Sequence, residues 1–140
     1  MTSAEPTEFL LDASALLALL LAEPGHEHVR AAIAHSSIHA VNVAEVIGKL
    51  VREGVPRDEA TAAVQELRLN IIEEFTLAQA GDCRVLIADT RKQGLSVGDC
   101  VCLTISAWRG AIALTAERLW KGLHGKRIGP NPLRVRLIRP

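Results

Sequence analysis

Phe9-Leu10-Leu11-Asp12-Ala13-Ser14-Ala15-Leu16-Leu17-Ala18-Leu19-Leu20-Leu21-Ala22 is an almost wholly apolar stretch that carries one carboxylate. Phe9-Leu10-Leu11 reads as a buried strand that ends at Asp12, and Ser14 to Ala22 as a helix closed by Pro24-Gly25. This helix is apolar nearly all round, so it is an internal helix or lines a groove for a partner. A carboxylate flanked by core residues needs a partner of its own, which marks Asp12 as a candidate for function. Residues 13–22 are too short to span a bilayer, and with no basic flank before them they do not read as a secretory signal.

Outward from this stretch, strand-like and helix-like segments alternate. Helices are predicted from Glu27 to Ala34, Asn42 to Glu53, Pro56 to Leu69, Leu77 to Gln93, Gly98 to Arg109 and Glu117 to Leu123. Strands are predicted at Ile38–Val41, Asn70–Phe75, Ala111–Leu114 and Leu133–Ile138. Strands joined by helical crossovers imply an α/β fold: a mostly parallel central sheet with helices on both faces. Ligands then sit at the carboxyl ends of the strands. The 140 residues fit one domain, with 1–7 polar and flexible, and 49% hydrophobic residues supply a sizeable core.

The three cysteines, Cys83, Cys100 and Cys102, are odd in number and lack zinc or redox spacing. They read as buried free thiols in a cytoplasmic protein. His26, His28, His35, His39 and His124 are scattered without ligand spacing, and no Gly-rich phosphate loop is present. Trp108 and Trp120 read as core or interface residues. Net charge is zero but unevenly placed. Up to Glu117 there are nine Lys/Arg against all sixteen Asp/Glu, and from Arg118 onward seven Lys/Arg and no acid. An acidic body can take cations while a basic tail takes phosphates or is merely solvated.

Four acids stand at turning points of the pattern. Asp12 ends the first strand, Glu45 lies just inside a helix, Asp99 starts another, and Glu117 follows the fourth strand. Asn42 with Glu45, and Ser96 with Asp99, have capping-box spacing, and Glu117 stands where a helix dipole favours an anion. Several carboxylates at one strand end would repel each other and raise their pKa values. A hard cation relieves that repulsion, and a metal so held can activate water against a phosphodiester.

Four motifs in order resemble the PIN-domain ribonucleases, specifically the VapC-type toxins of toxin–antitoxin pairs. They are Phe9–Ala18 with its Asp-x-Ser, Val41-Asn42-Val43-Ala44-Glu45-Val46, Leu95-Ser96-Val97-Gly98-Asp99-Cys100, and Ala113-Leu114-Thr115-Ala116-Glu117-Arg118-Leu119-Trp120. The acids are 33, 54 and 18 residues apart, and the resemblance runs from Phe9 to Ile138. It implies a PIN-like parallel sheet and Mg²⁺- or Mn²⁺-dependent cleavage of RNA. Asp12 and Asp99 would hold the metal, with Glu45 and Glu117 directly or through water, and Ser14 and Thr115 would support the site. At the fourth acidic position the family usually has Asp, where this chain has Glu117. The resemblance further implies an antitoxin protein as partner, packed beside the Leu16–Leu21 region, and a homodimer built on an apolar face such as Leu77–Gln93 or Asn42–Glu53. An inactive module that keeps the fold and cleaves nothing is the alternative.

An acidic metal site repels a polyanion, so cations must offset it. Arg118, Lys121, Lys126 and Arg127 follow Glu117 closely and are the candidates to hold RNA. A phosphoacceptor domain would need paired acids near the first strand end, and Asp12-Ala13-Ser14 supplies one.

Overall fold

A computed structural model describes residues 7–140; most of the segment expected to be flexible, 1–7, lies outside the described residues. Five parallel strands form the central sheet. They are β1 (Phe9–Leu11), β2 (Ser36–His39), β3 (Asn70–Ile72), β4 (Ile112–Thr115) and β7 (Arg134–Leu137). Their spatial order is β3-β2-β1-β4-β7. The chain therefore builds outward from β1 through β2 to β3, then returns to the other side of β1 for β4. The reversal leaves a crevice between the carboxyl ends of β1 and β4, the place where open parallel sheets bind ligands.

Strand alternation sorts the core into two layers. Leu11 and Leu114 face the layer of α1 (Ala13–Leu21), α2 (His26–Ala32), α3 (Ala40–Arg52) and α4 (Arg57–Glu66). Leu10 and Ala113 face α5 (Leu77–Asp89) and α6 (Val97–Arg109) on the other side. Leu10 and Leu11 are both fully buried, so β1 is central to both layers. The predicted sheet with helices on both faces is the one observed. Cys83, Cys100 and Cys102 are free and buried, and Trp120 is fully buried. Among the described residues, no helix is long and apolar enough to cross a membrane.

Several boundaries differ from the sequence reading, each for a local reason. The second strand is Ser36–His39, not Ile38–Val41. Two serines are buried there because their hydroxyls find acceptors: Ser36 Oγ donates to Ala32 O (2.7 Å) and Ser37 Oγ to Glu8 Oε2 (2.8 Å). The helix after it starts at Ala40 and is capped by His39, whose Nδ1 accepts from Val41 N at 3.1 Å. Asn42 is therefore inside the helix and caps nothing, so the Asn42–Glu45 capping box is not formed. The helix predicted to reach Gln93 stops at Asp89, where Thr90 Oγ1 donates to Leu86 O (2.6 Å), and one 3₁₀ turn follows at Arg91–Gln93. Pro56 precedes α4 as its N-cap, and β3 ends at Ile72.

The segment after β4 is a 3₁₀ helix, Arg118–Leu123. An antiparallel pair, β5 (Arg127–Ile128) with β6 (Asn131–Pro132), comes next and was not anticipated. Its turn holds Gly129 at φ +58°, where a side chain would also run into Trp108.

Candidate functional site

The carboxyl ends of β1 and β4 lie side by side, with Leu11 paired to Leu114. Asp12 is the next residue after β1 and the N-cap of α1. Its carboxylate is only 2% exposed, yet every oxygen is occupied. Oδ1 accepts from Ala15 N (2.8 Å) and Ser14 Oγ (2.8 Å). Oδ2 accepts from Thr115 Oγ1 (2.6 Å) and again from Ser14 Oγ (2.9 Å). The two hydroxyls are themselves fixed by the backbone after β4: Ala116 N donates to Ser14 Oγ and Glu117 N to Thr115 Oγ1, both at 2.9 Å. One carboxylate thus stitches β1, α1 and the end of β4 together.

The other acids arrive on separate elements. Glu45 is on the second turn of α3, where Asn42, one turn earlier, donates Nδ2 to Glu45 Oε1 (2.8 Å) and to Gly98 O (3.0 Å). The Glu45 carboxylate lies directly over Gly98. A Cβ at residue 98 would fall 2.4 Å from Glu45 Cδ, so a side chain here would displace the Glu45 carboxylate from its place over α6. Asp99 forms the predicted capping box of α6, accepting Ser96 N on Oδ2 (3.0 Å) while its own N–H donates to Ser96 Oγ (3.1 Å). Glu117 precedes the 3₁₀ helix, is exposed, and makes no side-chain cap. The reading of Glu117 as a helix cap is therefore not supported by a bond.

Asp12, Glu45, Asp99 and Glu117 line one open cavity of about 240 Å³, together with Ser14 and the α3 residues Lys49 and Arg52. The structure thus brings together all four predicted acids and the supporting Ser14, with Thr115 bonded from behind. Lys49 and Arg52 were missed. The signal was present: Glu45, Lys49 and Arg52 recur at i, i+4 and i+7, one stripe of a helix. The predicted phosphate-binding residues are placed differently. Lys126 pairs with Asp89 (3.3 Å), and Arg127 donates to Pro130 O (3.1 Å). Both line a separate cavity with Asp82 and Asp89. Lys121 lines a groove with His124 and Arg136. Arg118 adjoins Glu117 in sequence and is exposed, but it does not line the acidic cavity.

Burial pushes the Asp12 carboxyl up to about 7; hydrogen bonds from Thr115, Ala15 and Ser14 oppose this, and the Asp99 charge adds to it. Glu45 is also raised, first by burial, against the Asn42 hydrogen bond, and further by Asp99. The donors are all carboxylate and hydroxyl oxygens, which suit a hard cation such as Mg²⁺ or Mn²⁺. Among the described residues no three acids or histidines form a ready-made ligand cluster.

The family model of the PIN domain matches residues 9–123. Solved structures share the fold at low identity. A DNA-bound VapBC from Salmonella typhimurium has TM-score 0.69 and 19% identity, over 94% of this chain and 98% of that one. VapBC2 from Rickettsia felis, bound to a promoter DNA fragment, has TM-score 0.68 and 15% identity, over 94% and 98%. A protein from Pyrobaculum aerophilum has TM-score 0.52 and 24% identity, over 82% and 85%. No curated protein matches the sequence significantly.

The raised carboxyl of Asp12 fixes the sign of one pH effect. In the metal-free protein, folded Asp12 keeps a proton that the unfolded chain releases, from its ordinary 3.8 up to about 7. The folded state binds more protons in that window, so stability is highest at its acid end and is lost as pH rises through it. Asp12→Asn removes this contribution. Urea denaturation with chelator should show the wild type losing midpoint relative to Asp12→Asn between about pH 4 and 7. Mg²⁺ at neutral pH should then raise the wild-type midpoint and leave the variant's unchanged. A constant difference between the two across pH would show that Asp12 ionises as it does in the unfolded chain.

Proposed function

Because the chain belongs to the PIN-domain family, we propose that it is a Mg²⁺- or Mn²⁺-dependent endoribonuclease that acts as the toxin of a toxin–antitoxin pair. The observation that carries this reading is the shared cavity of Asp12, Glu45, Asp99 and Glu117 at the sheet's reversal point. Asp12 and Asp99 would hold the cation, with Glu45 and Glu117 contributing directly or through water. Once bound, the cation supplies a water of lowered pKa and offsets charge on the phosphoryl oxygens.

The chain's residues do the rest. Ser14, Thr115 and Ala15 N hold Asp12 in one orientation, so no side-chain freedom is lost when the site is used. Glu45 has one oxygen bonded to Asn42 and a raised pKa, which brings it closer to the range of a general base. In hydrolysis the water oxygen bonds to phosphorus as one ester P–O bond breaks. Glu45 takes the proton the water loses and the leaving oxygen takes one from solvent, so one product keeps the phosphate and the other gains a hydroxyl.

Purified protein should cut single-stranded RNA with Mg²⁺ or Mn²⁺ and stop in excess chelator. Asp12→Asn and Asp99→Asn should each lower turnover by at least about a hundredfold, since each removes a charge aimed at the reacting centre. Glu117→Gln, at the exposed edge of the cavity, should cost less. Undiminished cleavage by Asp12→Asn, or cleavage in chelator, would overturn the mechanism. A folded wild type that cleaves no RNA would leave the alternative, a module that keeps the fold without activity.

Structures that share this fold include a toxin–antitoxin complex from Klebsiella pneumoniae and a member of the VapBC family of toxin–antitoxin systems from Mycobacterium tuberculosis, which supports a protein inhibitor for this chain. An antitoxin arginine would pair with the acidic cavity in bidentate fashion. Expression of the chain alone in a host cell should arrest growth, and co-expression with its cognate antitoxin should restore it. Growth unaffected by abundant folded protein would count against a toxin.

A homodimer is proposed on α5, where Leu77 is 90% exposed and Val85 60%. Such side chains on one helix suit an isologous contact. Sedimentation at micromolar concentration should give a dimer that Leu77→Glu with Val85→Lys converts to monomer. A monomeric wild type, or a dimer that survives both changes, would move or remove the interface.

A further inference from the structure

The acidic cavity faces an electrostatic problem that its own residues answer. Four carboxylates around one opening repel a polyanion, and a divalent cation offsets only part of that charge. The basic C-terminal segment does not supply the remainder at this place. Of its seven cations, Lys126 is paired with Asp89, and Arg127, Arg134 and Arg139 donate to Pro130 O, Gly110 O and Pro24 O. Arg136 lies over the Phe9 ring at 5.2 Å. None of these five lines the acidic cavity. Lys121 lines the groove beside β7, and Arg118 does not line the cavity.

Two cations do line it: Lys49 and Arg52, on the stripe of α3 that begins with Glu45. Helical rise puts them about 6 and 10 Å beyond Glu45 along the axis. Lys49 Nζ has a surface partner, Glu53 Oε1 at 3.2 Å, with both side chains near half exposed. An i,i+4 pair of that kind is weak and easily exchanged. Arg52 has no ion-pair partner among the described residues. Its Nη1 lies 3.7 Å from the position of a Cβ on Gly48, so the guanidinium folds back along the helix in the direction of Glu45. A row of one carboxylate and two cations on a rigid helix is a polarised wall: one end suits the metal, the other a phosphate.

We propose that Lys49 and Arg52 form a phosphate subsite that holds the backbone of single-stranded RNA beside the scissile phosphodiester. The proposal rests on the nuclease reading above and names the part of the chain that positions its substrate. Arg52 presents a planar fork to phosphate oxygens and Lys49 a point charge. Contacts of this class position a strand without reading its sequence. They are positioning residues, and the bond-breaking step does not pass through them.

The test uses the full chain and a 5′-labelled single-stranded RNA of mixed sequence. Binding is measured by anisotropy with Mg²⁺ in the Asp12→Asn background, which removes cleavage, across a salt series. Lys49→Gln with Arg52→Gln should weaken binding at least about tenfold and reduce the log–log salt slope by about 1.4, the value for two phosphate contacts on a single strand. In the cleaving protein the same pair should raise KM with kcat within about twofold, and Arg52→Lys should recover part of the loss. Unchanged affinity and salt slope would overturn the subsite, as would a fall in kcat at constant KM. Loss of binding to polyglutamate with RNA binding intact would assign the pair to an acidic protein partner instead, and would equally overturn it. If the wild type cleaves no RNA but its binding still depends on both residues, the nuclease reading fails and the subsite stands. If the wild type cleaves and the variants match it, the subsite fails and the nuclease stands.

Discussion

Asp12 is a carboxylate held in the interior by three hydrogen-bond donors, one of them the Ser14 hydroxyl shared between its two oxygens, and the acidic end of the molecule is arranged around it. Its burial would be prohibitive without partners. The partners come from two elements at once: Ser14 Oγ and Ala15 N in the first turn of α1, and Thr115 Oγ1 at the end of β4. Ser14 and Thr115 are in turn anchored by Ala116 N and Glu117 N. Removing any one of these groups leaves another buried polar atom unpaired, so the network holds as a unit. The same bonds fix the path of the chain out of β4 and so the place of Glu117.

A second constraint acts where the two helical layers approach each other. α3 belongs to one layer and α6 to the other, yet Glu45 and Gly98 touch. The carboxylate occupies the space a side chain at residue 98 would take, and Asn42 bridges Glu45 to Gly98 O. Asn42 is buried and its Oδ1 has no partner among the described residues. At Asp99, one side chain both caps α6 and lines the cavity.

Charge is distributed by the same logic. The net charge of zero conceals an acidic crevice, a pair of cations on one helix beside it, and a C-terminal segment whose cations mostly bind backbone carbonyls or an acid. Arginines that donate to Gly110 O and Pro24 O tie β7 and the residues after it to the body. Formal charge counted along a sequence says nothing of which charges are already engaged.

The layer architecture and the four acids at the turning points of the chain were legible in the sequence. Both follow from local rules: hydrophobic periodicity, Gly and Pro punctuation, and carboxylates at the ends of apolar runs, which one dimension records. The Ser96–Asp99 cap was legible for the same reason, since its partners are three residues apart. The rest depended on contacts between distant parts of the chain. The β2 boundary moved because the hydroxyls of Ser36 and Ser37 find acceptors on other elements, which lets polar residues sit in a central strand. His39, not Asn42, caps α3 because its other ring nitrogen is held by Glu74 O, 35 residues away. The cations beside the acids proved to be Lys49 and Arg52, not Lys126 and Arg127. Nearness to Glu117 along the chain is no guide once β5 and β6 carry the backbone toward Asp82 and Asp89. Local spacing survives folding unchanged, whereas proximity between distant residues is created by sheet order and packing, and that is where this site was made.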